Sequence, residues 1–404
     1  MTAIAEPVLG AGTETTIFTE MTALAVRTGA VNLGQGFPDR DGPQQMLDAA
    51  KDAISAGHNQ YPPLNGIPAL RDAIVEQRAD RYRTYYSATD EVLVTVGATE
   101  AITTSILALA RPGDEVIVFE PFYDSYVAAI AMAGALRRPV LLRPGPSGFQ
   151  FDEVDLRAAI GPRTRLLILN SPHNPTGKVF TSEELRIIAS VCREHDLLVI
   201  TDEVYEYLCF DGHTHNTIAS IGGMADRTIV VSSAGKTFNA TGWKVGWMCG
   251  PAGLVARVRN LKQYVTFAAG TPFQHAVAVA LRECVDWIGQ LRADLQRSRD
   301  IMVDGLTAAG VRVYPSQGTY FLQVDARSFG HDDGAELCRA LPSLAGVAGV
   351  PSAAFFDSVE VGRPLIRFAF CKGHDVIEDA VSRLGRLARE TTADISNDTE
   401  RDSI

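Results

Sequence analysis

The sequence has no excess of basic residues and no long apolar run. Its 37 Lys and Arg residues against 48 Asp and Glu residues give a formal net charge of −11. A surface this acidic repels phosphate backbones, which argues against nucleic acid as the main partner. The most apolar stretches, such as 126–136, are too short to span a bilayer, and residues 1–12 lack the pattern of a secretory signal. We therefore expect a cytoplasmic protein with no nucleic-acid or membrane partner.

Paired cysteines and metal-ligand spacings are also missing. The six cysteines are scattered without a CxxC pair, so we expect reduced, buried thiols. Among the eight histidines, His213 and His215 are the closest pair, which is weak spacing for a metal site. We expect no bound metal.

Short β-branched runs alternate with helical patterns in the first 230 residues. This alternation predicts βαβ units and a mostly parallel sheet covered on both faces, an α/β fold. The predicted strands are 91–96, 115–119, 165–169, 197–201 and 228–231, and the helices between them are 99–110, 124–133 and 182–195.

The pattern changes after about residue 251, where long helical stretches begin and two short strands follow in 310–324. A further strand at 365–371 precedes a last helix that is expected to end near Arg389. We predict an N-terminal arm at 1–45 that belongs to a small domain, a large domain at 46–290, a small α+β domain at 291–390 and a disordered tail at 391–404.

Chemically suited segments follow four of the predicted strands. They are 97–99, 170–174, 202–205 and 232–236. Ligands of open α/β sheets bind at the carboxyl ends of the strands, so these segments are expected to form one site.

Two of these segments carry a lysine and a carboxylate. Lys236 lies among small residues that let a ligand approach, although a lone loop lysine is usually solvated. Asp202 ends a buried strand, where a carboxylate costs free energy unless it is paired, and the alternative is a helix N-cap. An imine-forming lysine and an acid for a pyridine nitrogen are what pyridoxal 5'-phosphate (PLP) chemistry requires.

The other two segments suit the remaining atoms of such a cofactor. Asn174 in the loop 170–178 can donate to a phenolic oxygen, and the start of a helix at 97–99 can bind phosphate. Taken alone, the first is also typical of a plain turn and the second of many helices.

The combined motifs resemble a known family. Asn174-Pro175-x-Gly177, Asp202-x-x-Tyr205, Ser233-x-x-Lys236 and Lys244 in 242–246 are similar to the fold type I PLP enzymes of aminotransferase class I/II, over about residues 32–389. The resemblance implies a large domain with a mostly parallel sheet between helices, a smaller α+β domain, and ping-pong transamination with 2-oxoglutarate and glutamate as one pair.

The resemblance also implies roles for individual residues. Lys236 would form the Schiff base and move the proton, with Asp202 on the pyridine nitrogen. Asn174 and Tyr205 would contact the ring oxygen, and Tyr123 would stack on the ring. The phosphate would be bound by Gly97, Ala98, Thr99, Ser233 and Lys244. The substrate would be bound by Arg367, Gly36, Asn174 and Phe267. In a homodimer with shared sites, Tyr61 would reach the phosphate of the neighbouring subunit.

Within the family, the segments 32–38 and 233–238 are similar to the kynurenine/glutamine transaminase subgroup, whereas 96–102, 121–126 and 171–177 are closer to actinobacterial N-succinyldiaminopimelate aminotransferases. Thr99 stands where the kynurenine enzymes carry an aromatic residue, which favours N-succinyl-LL-2,6-diaminopimelate, a lysine-biosynthesis substrate. The alternatives are a kynurenine, glutamine or methionine aminotransferase and a cysteine-S-conjugate β-lyase. Lys262, Gln263 and Tyr264, beside Phe267, are the candidates for reading the distal part of the substrate.

Two other classes fit the sequence less well. A PLP-binding transcription regulator needs an added DNA-binding domain, for which this acidic chain has no room. An NAD-dependent oxidoreductase needs a GxGxxG turn between a strand and a helix, and the sequence has none.

Overall fold

The structure is a computed structural model that describes residues 16–401, with side chains described for 16–391. The helices of this part are α1 Ile17–Thr28, α2 Gln44–Ser55, α3 Pro68–Tyr82, α4 Gly97–Leu109, α5 Asp124–Met132, α6 Glu153–Ala158, α7 Ser182–Glu194, α8 Ala234–Thr237, α9 Ala252–Lys262, α10 Thr271–Glu283, α11 Val285–Ala308, α12 Gly334–Leu344, α13 Val359–Gly362 and α14 His374–Arg401. The strands are β1 Val31–Asn32, β2 Val92–Val96, β3 Glu115–Glu120, β4 Leu136–Leu141, β5 Arg143–Gly145, β6 Gly148–Gln150, β7 Thr164–Asn170, β8 Leu198–Asp202, β9 Thr228–Ser233, β10 Val245–Cys249, β11 Val313–Tyr314, β12 Phe321–Asp325, β13 Val347–Ala348, β14 Val350–Pro351 and β15 Leu365–Ala369.

A seven-stranded sheet in the order β2-β10-β9-β8-β7-β3-β4 forms the centre of the fold. Strands β9, β8, β7, β3 and β4 pair in parallel, as the alternation of strands and helices predicts. β10 is antiparallel to both of its neighbours. This strand is absent from those predicted from the sequence. It follows β9 after a short connection rather than a long crossover helix.

Alternate residues of the central strands face opposite layers of the core. Leu167 and Leu169 of β7 join one buried apolar cluster, whereas Leu166 and Ile168 join another. Because successive side chains of a strand point to opposite faces, this division shows a sheet covered on both sides. The unbroken apolar run in β7 is the sequence signature of that burial.

The second sheet is antiparallel and has the order β11-β12-β15-β14. β12 pairs with β15 so that Gln323 lies opposite Arg367, which puts that arginine in a central strand. Buried side chains of this sheet belong to the same apolar cluster as one face of the large sheet. The core is therefore continuous from the large sheet to the small one, and the division of the chain at residues 45, 290 and 390 stays a prediction.

Helix ends follow the local sequence, with one difference. Thr181 and Glu184 form a capping box at the start of α7. α14 continues to Arg401, beyond the expected end near Arg389 and into the segment for which we expected disorder. No Pro or Gly follows Gly385 to stop this helix, and Ala and Glu favour its continuation. The expected disorder of 391–404 stays a prediction, and residues 402–404 lie outside the described part.

No helix within residues 16–401 combines the length and the apolar character that a membrane crossing requires. The six cysteines are all free and buried, as expected.

Candidate active site

The four segments predicted to form one site do meet at the carboxyl edge of the large sheet. They surround a cavity of about 350 Å³, within the range of small-molecule sites. Twelve of the predicted site residues line it: Gly36, Gly97, Ala98, Thr99, Tyr123, Asn174, Asp202, Tyr205, Ser233, Lys236, Lys244 and Arg367.

Two predicted site residues do not line this cavity. Tyr61 is 86% exposed and Phe267 is 41% exposed. Their rings contact each other edge to face at 5.5 Å between centroids. The structure of one chain therefore leaves both on the surface. The role expected of Tyr61 in a neighbouring subunit and the role expected of Phe267 at the substrate remain predictions.

Lys236 lies in the short helix α8, directly after β9. Its Nζ donates to the Tyr320 hydroxyl at 2.6 Å, and that hydroxyl donates to the Gly36 carbonyl at 2.5 Å. Burial lowers the pKa of Lys236 to about 8, since removal from water disfavours the charged form. A lysine with this pKa is available as a neutral nucleophile and as a base near neutral pH.

Asp202 is the last residue of β8 and is 5% exposed. Tyr126 Oη donates to its Oδ2 at 2.5 Å, and the Val204 amide donates to its Oδ1 at 3.3 Å. Burial nevertheless raises the pKa of Asp202 to about 6. A cation beside this carboxylate would offset its desolvation, so the position suits a protonated ring nitrogen.

The start of α4 forms a cradle for an anion. No side chain caps the helix at its N-terminus, and Gly97 has a φ of +74°, which favours glycine. A Cβ on Gly97 would lie 3.1 Å from Lys244 Nζ, so this ammonium is directly above the helix start. Free backbone N–H groups and a lysine at a helix N-terminus are suited to phosphate.

Gly246 of β10 lets this cradle form. A Cβ at Gly246 would lie 2.4 Å from the carbonyl carbon of Gly97 and 2.7 Å from the Ala98 nitrogen. Only a residue without a side chain allows such a close approach of β10 to the start of α4.

Arg367 of β15 reaches the cavity from the small sheet. Its Nη1 donates to Asn174 Oδ1 at 3.1 Å and its Nη2 to the Gly34 carbonyl at 3.0 Å. The guanidinium carbon lies 4.1 Å from the centre of the Phe321 ring, and the buried Nε has no partner in the described part of the chain. Burial lowers the pKa of Arg367 to about 10. A buried guanidinium with a free donor and no carboxylate partner is suited to binding one from a ligand.

The loop 170–178, which carries Asn174, is fixed by hydrogen bonds of the Asn170 side chain. Asn170 Oδ1 accepts from the Asn174 amide at 2.8 Å, and Asn170 Nδ2 donates to the Asp202 carbonyl at 2.9 Å. Tyr205 is buried and contacts the Tyr320 ring at 5.3 Å, and burial raises its pKa. These contacts fix the segments that carry Asn174, Asp202 and Tyr205 relative to one another.

Sequence reasoning missed several residues of the site. Tyr126 lies one helical turn after Tyr123, a spacing that could have indicated it. Tyr320 and Phe18 come from distant segments and carry no local signal. Gln35 and Phe37 lie in the segment 32–38, whose family resemblance could have indicated them.

Lys262 is no longer a candidate for binding the distal part of the substrate. Lys262 is fully buried, where its Nζ donates to the Phe267 carbonyl at 2.7 Å and lies 3.8 Å from Glu100 Oε2. The sequence could not show that Glu100 would cover it. Lys262 therefore stabilises the loop that carries Phe267 and does not face the cavity.

The comparisons with known proteins agree with this geometry. A family model described as aminotransferase class I and II matches residues 28–384. The probable N-succinyldiaminopimelate aminotransferase DapC of Mycobacterium tuberculosis is 53% identical over 382 residues, covering 93% of this chain and 96% of the relative. The methionine aminotransferase of Escherichia coli is 39% identical over 373 residues, covering 92% and 96%.

A solved structure of N-succinyldiaminopimelate aminotransferase from M. tuberculosis superposes with a TM-score of 0.91 at 54% identity, covering 92% of this chain and 97% of that one. The predicted type I fold and the predicted aminotransferase activity are thereby confirmed. The chain belongs to the class I and II aminotransferases.

Proposed function

We propose that this aminotransferase uses PLP held by Lys236. When bound, this cofactor supplies an electron sink for the carbon that loses its proton. The support is the fit of the cavity: Lys236 as the amine, Asp202 for the ring nitrogen, Asn174 and Tyr205 for the ring oxygen, Tyr123 for the ring face, and Gly97, Ala98, Thr99, Ser233 and Lys244 for the phosphate. No metal is needed for this chemistry.

The residues of the chain divide the work of the reaction. Arg367 binds the α-carboxylate of the amino acid, assisted by the backbone around Gly36. Lys236, oriented by Tyr320, takes the proton from the substrate Cα and returns it on the cofactor side. The buried guanidinium with its unpartnered Nε is the single observation that carries the assignment to an amino-acid substrate.

The proposed substrate is N-succinyl-LL-2,6-diaminopimelate, with 2-oxoglutarate and glutamate as the other pair. The name of the 53% identical relative supports this choice. Thr99 at the cavity also supports it, because a small polar residue there leaves room for a long, polar side chain. The alternatives remain methionine, kynurenine or glutamine transamination and cysteine-S-conjugate β-elimination.

A substrate panel tests this proposal. Purified enzyme with PLP and 2-oxoglutarate is given N-succinyl-LL-2,6-diaminopimelate, methionine, kynurenine and glutamine at matched concentrations. The proposal predicts the highest kcat/KM for the succinylated diamino acid, with glutamate formed in equal amount. A higher value for methionine or kynurenine would overturn the substrate, and pyruvate release from a cysteine conjugate without an acceptor would favour the lyase.

We further propose a homodimer in which Tyr61 and Phe267 reach the neighbouring site. The two exposed rings form one patch with Tyr264 and Val265, which are 84% and 56% exposed. Subunits carrying Tyr61→Phe, mixed under exchange conditions with Lys236→Ala subunits, should recover activity that neither homodimer has in full. A fully active monomer in sedimentation would contradict the proposal.

A further inference from the structure

One wall of the cavity mouth is formed by the segment 35–37. Phe37 lines the cavity but is 45% exposed, so it lies at the boundary with solvent. Lys372, just after β15, holds this residue in place. Its Nζ donates to the Phe37 carbonyl at 2.8 Å and lies 4.3 Å from the centre of the Phe37 ring.

The charge of Lys372 is not used by a carboxylate of the described chain, since the ammonium forms no ion pair there. The acidic residues around this segment have other contacts. Asp39 accepts from the Gly373 amide at 3.0 Å, and Asp375 folds over Gly373 at the start of α14. Asp294 pairs with Arg40 at 2.8 Å and with His374 at 3.1 Å.

The other cations at the cavity already have roles. Among the described residues, the Lys and Arg side chains that line it are Lys236, Lys244 and Arg367. Under the proposed function Lys236 holds the cofactor and moves the proton, Lys244 binds the phosphate and Arg367 binds the α-carboxylate. A second carboxylate on the substrate therefore has no further cationic partner among the described residues that line the cavity.

The distance from the reacting centre to Lys372 can be bounded from the contacts. Lys236 Nζ lies 3.4 Å from the Gly36 carbonyl oxygen, and Lys372 Nζ lies 2.8 Å from the carbonyl oxygen of the next residue. One residue of chain and two carbonyl bonds join these oxygens, so the two nitrogens are at most about 12 Å apart. An extended succinylated diamino acid places the carbons of its two far carboxylates roughly 6 and 11 Å from the reacting Cα, at about 1.25 Å per bond.

We infer that Lys372 recognises a carboxylate at the distal end of the substrate and so determines specificity for acid-tailed amino acids over neutral ones. This inference rests on the proposed aminotransferase reaction, in which Arg367 binds the α-carboxylate. The Lys372 ammonium has two N–H donors beyond the one given to the Phe37 carbonyl. A charged donor at the cavity mouth attracts an anion, and no buried partner has to be displaced for the anion to bind.

The test uses two substrates that differ only in the distal group, Nε-succinyl-L-lysine and Nε-butyryl-L-lysine. The variant Lys372→Gln keeps a donor for the Phe37 carbonyl but removes the charge, and Lys372→Arg keeps the charge. For Lys372→Gln, the ratio of kcat/KM for the succinyl compound to kcat/KM for the butyryl compound should fall about 10-fold, mainly through KM. This loss is at the lower end of the range for a hydrogen bond to a charged group, because the cavity mouth is open to water. Lys372→Arg should retain most of the preference.

Lys51→Gln provides the control and should leave the ratio unchanged. Lys51 lies on α2, where its side chain is exposed and paired with Asp48. An unchanged ratio in Lys372→Gln, or an equal loss with both compounds, overturns the inference and makes Lys372 a purely structural contact of Phe37. This outcome is distinguishable from that of the substrate panel. If the wild type does not use N-succinyl-LL-2,6-diaminopimelate, but its preference for the succinyl compound is lost in Lys372→Gln, the proposed substrate is overturned and the inference is supported.

Discussion

The floor and the rim of the cavity differ in how they are held. At the floor, Asp202 and Arg367 are 5% and 3% exposed and are fixed by hydrogen bonds to residues from a helix and several loops. At the rim, Phe37 is 45% exposed and Lys372 has one hydrogen bond to a backbone carbonyl. The floor is thus rigid and pre-organised, whereas the rim is open to solvent. We infer that the floor supports the reaction and the binding of the α-carboxylate, whereas the rim selects the distal part of the substrate.

The ionisable groups of the floor share a further property. Burial shifts the pKa of Lys236 and of Arg367 down and that of Asp202 up, in each case toward the neutral form. Groups shifted in this way are stabilised by ligands of opposite charge, and such shifts cluster at functional sites. The relatives carry different substrate names within one family, as expected if this floor is shared and the rim varies.

The largest effect is expected at Lys236. Lys236→Ala removes both the amine that holds the cofactor and the base for the Cα proton, so kcat/KM should fall roughly 10³-fold or more. Stopped-flow or steady-state transamination assays measure this, together with loss of the visible absorbance of lysine-bound cofactor. Lys244→Ala is the matched control: it should weaken cofactor affinity but recover turnover at saturating cofactor. Near-normal turnover of Lys236→Ala would place the chemistry on another residue.

The next effect concerns Arg367. Removing one partner of a buried charge pair costs about 2–5 kcal/mol, so Arg367→Ala should lower kcat/KM for amino acids about 30- to 5000-fold. Amines that lack the α-carboxylate should lose far less. The control Arg383→Ala, at a partly exposed arginine paired with Asp379, should leave kcat/KM unchanged. Equal losses for amino acids and simple amines would show that Arg367 only packs against Phe321.

A smaller effect, on stability, is expected from the raised pKa of Asp202. In the cofactor-free protein the native state binds a proton that the unfolded state releases between the usual pKa of 3.8 and the native value of about 6. Asp202 therefore costs stability as pH rises through this window, by about 3 kcal/mol in total above pH 6. Asp202→Asn carries no such penalty, so the cofactor-free variant should gain stability over wild type as pH rises from 4 to 7.

Urea unfolding at several pH values measures that gain. For the control Asp226→Asn, at an exposed residue, the difference in unfolding free energy from wild type should not show the same rise between pH 4 and pH 6. A difference between wild type and Asp202→Asn that is flat across this range would mean that Tyr126 and the Val204 amide already satisfy the carboxylate.

The floor could be predicted from the sequence and the rim could not. Asp202, Asn174 and Lys236 each follow a strand with an unbroken apolar run, so strand ends and chemistry pointed to the same edge. Arg367 was reached through the family resemblance, because nothing in its strand shows that Phe18, Phe321 and Phe355 would enclose it. Lys372 and Phe37 are brought together from opposite ends of the chain by tertiary packing, which leaves no local pattern.

The account depends most on Lys236 as the residue that carries the cofactor. Borohydride reduction of the PLP-loaded enzyme fixes the cofactor to the lysine that holds it, and peptide mass spectrometry then identifies that lysine. We predict a single labelled peptide containing Lys236, with the label lost when substrate amine is added before reduction. Label on Lys244 or Lys262, or label that substrate does not remove, would contradict the central claim.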